Sequence, residues 1–208
     1  MNSDIKKILT STIDTYEQRS SDFIEAYDHA DMSDFYRLLD RELSQGSDIL
    51  DIGFGSGRDI YYLKEKGFNI WGVDPSNKFV SNAKKRFPNI SDHFFTGRLP
   101  ELNIPAKYQG FFDAILLVAV WMHLPKETYI SSIESIKSLL KIGGKIILSY
   151  STGSREKDER FFEQIDPKEL QDIFLNAGFS KVSSMMNKDG LDERDIVWIT
   201  EVYRYDKF

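Results

Sequence analysis

The sequence predicts an open α/β fold, a mostly parallel sheet with helices on both faces that finishes in an antiparallel hairpin. Three observations carry that expectation. A short apolar strand, Ile49 to Ile52, turns through Gly53, Gly55 and Gly57 into a helix that starts near Arg58 or Asp59. A nearly continuous apolar run, Phe111 to Val120, has the character of a parallel strand covered on both faces. Two strand-like segments, around 179–186 and 195–203, are joined by the turn-rich Asn187-Lys-Asp-Gly190.

Taken in order, the chain opens with Ile5, Ile8, Leu9, Ile13 and Tyr16 at helical spacing over residues 3–18. A linking stretch from Phe23 to Ser33 leads to a second helix marked by Phe35, Leu38, Leu39 and Leu43, with Ser33 as its N-cap. Both precede the first core strand and have no place in the sheet. They are free to form a lid over residues 1–45, with 46–208 as the core of a single domain. After the glycine turn, a helix to Lys66 ends at Gly67, and Ile70 to Asp74 form the second strand. Ser76 caps a helix that Pro88 stops, and His93 to Thr96 form the third strand. Pro125 suits the first turn of a helix carrying Tyr129, Ile133, Ile136 and Leu140; Gly143-Gly144 should end it, with Lys145 to Ser149 as the fifth strand. Ser151 to Arg160 read as a long polar loop, and Asp166-Pro-Lys-Glu169 as a capping signature for a helix closing at Asn176-Ala-Gly178.

The glycine-rich turn is a nucleotide-type cradle, because it brings bare backbone and a helix N-terminus up to a ligand. A dinucleotide fingerprint needs a third glycine at the sixth position, where this chain has Arg58. The pattern is instead acid-x-Gly-x-Gly-x-Gly, with Asp51 at the mouth of the strand. A carboxylate there suits an ammonium group and repels a pyrophosphate. Asp74 closes the second strand, where an acid can accept from both hydroxyls of a ribose, with Pro75 and Ser76 beside it. Ribose, ammonium and no phosphate together describe S-adenosylmethionine. Arg58 starts a helix, where the dipole disfavours a cation, so it needs an anion: the cofactor carboxylate or a protein acid such as Asp59.

With these residues the sequence resembles the class I S-adenosylmethionine-dependent methyltransferases. The resemblance implies a Rossmann-like, seven-stranded sheet with the antiparallel hairpin at its end. It further implies that Thr96-Gly-Arg98 and Leu99 border the adenine, although many relatives place an acid there and this chain has none. Val118 and Ala119 would pass beneath the cofactor, and Trp121-Met-His-Leu-Pro125 would line the reaction site. The front section, Tyr27-Asp-His-Ala30 and Asp31-Met-Ser33, resembles a subset in which the N-terminal segment folds over the cofactor and part of the pocket. Tyr27 is the candidate lid contact, with ordinary aromatic packing as the alternative. Arg160-Phe-Phe and Arg194-Asp-Ile-Val-Trp198 resemble the same subset.

Methyl transfer from a sulfonium asks the protein to hold a nucleophile, exclude water and remove a proton where one must leave. His123 is the candidate base or substrate-binding group, since an imidazole near pKa ~6.5 accepts a proton at neutral pH; a histidine that orients its loop is the alternative. Trp121 reads equally as pocket wall or core. Arg155, Arg160 and Arg194 suit an acidic small acceptor through bidentate bonds, or pair with Glu156, Asp158, Glu159 or Asp195 at the surface.

Composition narrows the partners. A net charge of −6 argues against a large phosphate-binding surface, and Lys84-Lys-Arg86, the densest basic cluster, falls at a helix end where cations suit the dipole. No apolar run reaches membrane-spanning length, and the absence of cysteine agrees with a cytoplasmic protein and excludes a cysteine nucleophile. Asp28, His29, Asp31 and Asp34 match no standard metal spacing, so no metal is expected. There is no Asn/Asp-Pro-Pro-Tyr/Phe segment of the kind that holds a flipped base. A small-molecule methyl acceptor is the leading expectation. RNA or protein methylation, or a non-catalytic S-adenosylmethionine-binding partner module, are the alternatives.

Overall fold

The computed structural model describes residues 3–153, 158–188 and 196–206. Strands β1 (Asp48–Ile52), β2 (Asn69–Asp74), β3 (Phe94–Thr96), β4 (Phe112–Val118), β5 (Leu140–Thr152), β6 (Phe179–Lys188) and β7 (Val197–Tyr205) form one seven-stranded sheet. Their order is β3-β2-β1-β4-β5-β7-β6. The first five run parallel, and β7 lies antiparallel between β5 and β6. The reversal of order at β1 and β4 creates the crevice at which an open α/β sheet takes its ligand.

Side chains alternate across the sheet, so neighbouring residues feed two cores. On one face Leu50, Ile52, Leu117 and Leu148 pack with Ile133 and Ile136 of α6 (Tyr129–Leu139) and Phe174 of α7 (Pro167–Asn176). On the other, Ile49, Leu116 and Ile147 pack with Leu39 of α3 (Ser33–Glu42), Ile60 and Leu63 of α4 (Arg58–Glu65) and Val80 of α5 (Asn77–Arg86). Each such fully buried aliphatic side chain contributes about 1.5–3 kcal/mol of transfer free energy. The nearly continuous apolar sequence of β4 follows from this two-sided burial.

Three local expectations are corrected. The stretch read as a linker after α1 (Ser3–Gln18) contains a further helix, α2 (Ser20–Asp28). It lacks a full apolar stripe and is held by Phe23 packing on Tyr16, ring centroids 4.8 Å apart. Ser33 does not cap α3; it is the first helical residue, and its amide donates to Asp31 Oδ1 at 2.9 Å. Gly143-Gly144 do not end α6, which stops at Leu139. They lie where the pairing of β4 with β5 jumps from Leu140 to Lys145, and Gly143 supplies the positive φ of 82° that this irregularity needs. Capping of α5 by Ser76 and of α7 by Asp166 follows the sequence: Ser76 Oγ accepts from the Phe79 amide at 3.2 Å and Asp166 Oδ1 from the Lys168 amide at 2.9 Å.

Candidate active site

From the end of β1 the chain turns through Gly53, Gly55 and Gly57, at φ of 73°, 53° and 77°, into α4. At Gly53 space decides as well as conformation, because a Cβ there would stand 2.4 Å from Val120 Cγ2. Gly53→Ala is expected to lose about 1–3 kcal/mol through overpacking and strain, read as a lower urea midpoint at unchanged slope. An unchanged midpoint would mean that the cradle has slack. Above Gly55 there is room, bounded by the Tyr27 ring 3.6 Å from the position of a Cβ.

Two acids flank this turn. Asp51 is 1% exposed, and neither of its carboxylate oxygens has a hydrogen-bond partner among the described residues. Burial holds its carboxyl well above the usual carboxylate range, the charges of Asp59 and Asp74 add to the effect, and Arg58 opposes it. A buried acid without partners is costly, and what it lacks is a cationic donor. Asp74 is also buried, with Oδ2 accepting from the Gly55 amide at 3.0 Å and Oδ1 from the Ser76 amide at 2.8 Å. Burial pushes its carboxyl up to about 7; the Ser76 and Gly55 amides pull it back, and Glu17 adds to the rise. An unpartnered buried acid, open backbone and a second acid two strands from β4 fit a ligand that carries an ammonium group and a ribose.

Arg58 is committed within the protein. Its Nε and Nη2 donate to Asp59 at 2.9 and 3.0 Å, and its Nη1 to the Tyr27 carbonyl at 3.0 Å. Asp59 meets the need for an anion that the helix start creates, and Tyr36 Oη donates to the same carboxylate at 2.9 Å. The arginine thereby ties the cradle to α2. Pro75 is half-buried beside Asp74, whereas Leu99 is 2% exposed and packs in the core.

At the other end of the crevice, Val118 and Ala119 leave β4 half-buried. Ala119 holds φ at 59°, unusual for a residue with a Cβ. Its amide donates to Ser149 at both the carbonyl, 3.0 Å, and Oγ, 3.2 Å, which fixes the turn. Trp121 is fully buried between Tyr129 and Phe174, with ring centroids 5.0 and 5.5 Å away. Of its two readings the structure takes core, because the turn after β4 points it under the sheet's helical layer.

His123 has both ring nitrogens engaged: Nδ1 donates to the Phe161 carbonyl at 2.7 Å, and Nε2 lies 2.9 Å from Tyr16 Oη. The carbonyl can only accept, so a neutral ring carries its proton on Nδ1 and leaves Nε2 as the acceptor. Tyr16 Oη in turn accepts from Arg160 Nη1 at 2.7 Å. Burial, with the Tyr27 side chain next, holds the Tyr16 phenol well above its ordinary range, while Arg160 opposes. Arg160 is paired with Asp158 through Nε and Nη2 at 2.8 and 2.5 Å and sits over the rings of Tyr16, Phe23 and Phe162 at 5.0–5.2 Å. Its charge is already answered. Arg155 and Arg194 lie outside the described residues.

A family model for a methyltransferase domain matches residues 24–184. The chain belongs to this methyltransferase family. An uncharacterised methyltransferase of Alkaliphilus oremlandii is 28% identical to it over 163 residues, 67% of this chain and 70% of that one. Phosphoethanolamine N-methyltransferase of Plasmodium falciparum is 29% identical over 164 residues, 71% of this chain and 59% of that enzyme. Among solved structures, the 1,6-didemethyltoxoflavin-N1-methyltransferase of Burkholderia thailandensis superposes with a TM-score of 0.75 at 18% identity, covering 98% of this chain and 90% of that one. That structure holds S-adenosylhomocysteine, and an S-adenosylmethionine-dependent methyltransferase of Corynebacterium glutamicum superposes with a TM-score of 0.67 at 19% identity, covering 92% of this chain and 96% of that one. Among the described residues of this chain no helix is long and apolar enough to cross a membrane.

The sequence reading missed three contributors, all on α1. Thr12 Oγ1 accepts from the Phe161 amide at 3.1 Å, Tyr16 reaches His123 and Arg160, and Glu17 Oε2 accepts from Ser76 Oγ and, at 3.4 Å, from the Lys78 amide. By spacing, Tyr16 belongs to the apolar face of its helix. The available signal was a phenol and an acid side by side in the last turn, polar tips at the edge of an apolar stripe.

Proposed function

We propose that this methyltransferase moves the methyl group of S-adenosylmethionine to a small-molecule acceptor bound between α1, α2 and the turn after β4, in the cytoplasm. The observation that carries the reading is the Tyr16–His123 contact, through which the N-terminal helices fold down on the end of the crevice. A site roofed in this way suits a metabolite and excludes a polymer that must lie across the surface. The acceptor-site wall formed by Tyr16, Phe23, Tyr27 and Phe162 suits an amine, a phenol or another uncharged nucleophile. Arg160, one of the three arginines that would favour an acidic acceptor, is paired with Asp158.

In this reading Asp51 accepts from the cofactor ammonium, Asp74 from the ribose hydroxyls, and the backbone of Gly53, Gly55 and Gly57 lies against the ligand, with Pro75, Ser76, Val118 and Ala119 at its edges. Bound S-adenosylmethionine supplies an electrophilic methyl carbon on a sulfonium. The protein's own work is to orient the acceptor and take its proton. His123 is poised for this at Nε2, because the Phe161 carbonyl fixes the other nitrogen as donor. Tyr16, shared between His123 and Arg160, holds the imidazole in place and relays the proton: its Oη takes the acceptor's proton as its own hydroxyl proton moves to His123 Nε2. Tyr27 closes over Gly55.

Incubation of the protein with S-adenosylmethionine and separate panels of amines, phenols, bulk tRNA and denatured protein, with S-adenosylhomocysteine as readout, tests the acceptor class. Turnover confined to the tRNA or protein arm would overturn the small-molecule reading. With the responding acceptor and saturating S-adenosylmethionine, Tyr16→Phe and His123→Ala are each expected to reduce turnover about 10²-fold while S-adenosylhomocysteine still binds. Unchanged turnover in both would leave the pair a structural contact.

A further inference from the structure

Tyr16 and Glu17 are consecutive in α1, yet they dock at opposite ends of the crevice. Tyr16 meets His123 and Arg160 in the segments following β4 and β5. Glu17 meets Ser76 and the Lys78 amide at the start of α5, directly after β2. Since β2, β1 and β4 are neighbours, one turn of helix bridges the mouth of the sheet from the ribose end to the acceptor end. Ser76 is the pivot at the ribose end: its amide donates to Asp74 at 2.8 Å and its hydroxyl donates to Glu17. Two carboxylates, one from the core and one from the lid, thus meet on a single fully buried serine.

We propose that Glu17 is a positioning residue that couples the two ends of the site: its seat on Ser76 holds α1 down, and α1 in turn holds Tyr16 on His123. This rests on the assignment of Asp74 to the ribose. A diol that donates to Asp74 answers the charge that otherwise repels Glu17, so occupancy of the ribose end tightens the lid, and a tighter lid completes the acceptor end. The coupling is reciprocal, so the acceptor also tightens the cofactor. Burial and the nearby Glu17 both push the Asp74 carboxyl upward, which agrees with two acids competing for one neighbourhood.

The test is amide hydrogen exchange over residues 8–18, with and without S-adenosylhomocysteine, in the native protein, Glu17→Ala and Glu17→Gln. In the native protein the ligand is expected to slow exchange about 5-fold or more, the lower range of site-to-site coupling. Glu17→Ala should bind S-adenosylhomocysteine but show no slowing in α1. Glu17→Gln, which can still accept from Ser76 Oγ, should recover part of it. Equal slowing in native protein and Glu17→Ala would overturn the role of Glu17. If the native protein does not bind S-adenosylhomocysteine at all, the ribose assignment fails and this proposal with it. Glu17 is half-buried on a lid helix, so its removal leaves the core intact; far-ultraviolet circular dichroism checks this.

Discussion

Asp51→Asn is expected to make the protein more stable and its cofactor binding much weaker. The carboxyl at this position is buried and lacks hydrogen-bond partners among the described residues. Its folded pKa is raised, first by burial and then by Asp59 and Asp74. For an acid raised on folding, the folded state holds a proton that the unfolded state releases. Stability is therefore full below the unfolded value and falls as pH rises toward the folded one. At neutral pH the asparagine, which has no proton to lose, removes that pH-dependent burden at nearly constant shape, read as a higher Tm. For a chain of this size the gain corresponds to roughly 2–4 °C in Tm per kcal/mol. It should shrink as pH falls below about 4, where the acid becomes protonated in the unfolded chain as well as in the folded one. The same change removes the charge that answers the cofactor ammonium, and affinity should fall roughly 10²-fold, in line with the worth of a charged hydrogen bond. Thermal melts and calorimetric titration with S-adenosylhomocysteine read the two effects separately. Unchanged affinity would remove Asp51 from the site, and a lower Tm would mean that its oxygens are already satisfied.

The second large effect is a pH dependence of nucleoside binding. Asp74 has its carboxyl pushed up to about 7 by burial, with Glu17 adding and the Ser76 and Gly55 amides opposing. The ionised form accepts from two ribose hydroxyls; the protonated form has one oxygen occupied by its own hydrogen. Affinity should therefore be constant above pH 7 and fall by up to about tenfold per unit below it. Adenosine is the suitable probe, because it has neither the amine nor the carboxylate of the full cofactor. The other acids close enough to matter are Glu17 on α1 and Asp51 on β1, and Asp74→Asn isolates the effect by flattening the profile at low affinity. A profile that stays flat in the native protein between pH 5 and 8 would contradict the assignment.

Much of this arrangement was legible in the chain. The glycine turn, Asp51 and Asp74 could be read because backbone that must approach a ligand needs glycine, and acids at strand ends stand out against apolar runs. β4 could be read because burial on both faces leaves no polar interruption. What stayed hidden depends on contacts distant in sequence. Trp121 as core follows from Tyr129 and Phe174, which no local pattern places beside it. Arg160 was legible as a cation near the crevice but not as one already caged by Tyr16, Phe23 and Phe162. The helix α2 escaped because it is held by tertiary contact to Tyr16 rather than by a stripe of its own. Tyr16 and Glu17 lie more than fifty residues from the groups they touch, His123, Arg160 and Ser76, and periodicity carries no information over that span.

The position of β7 bears on how the molecule is made. It is later in sequence than β6 but pairs with β5 on one side and β6 on the other. During vectorial synthesis β5 would emerge with its Ile146, Ile147 and Leu148 edge open, and β6 would have no partner on the sheet until β7 had left the ribosome. Non-local pairing of this kind is slow and leaves strand edges exposed in the meantime. Nascent chains halted after β6 are thus the species most in need of a chaperone.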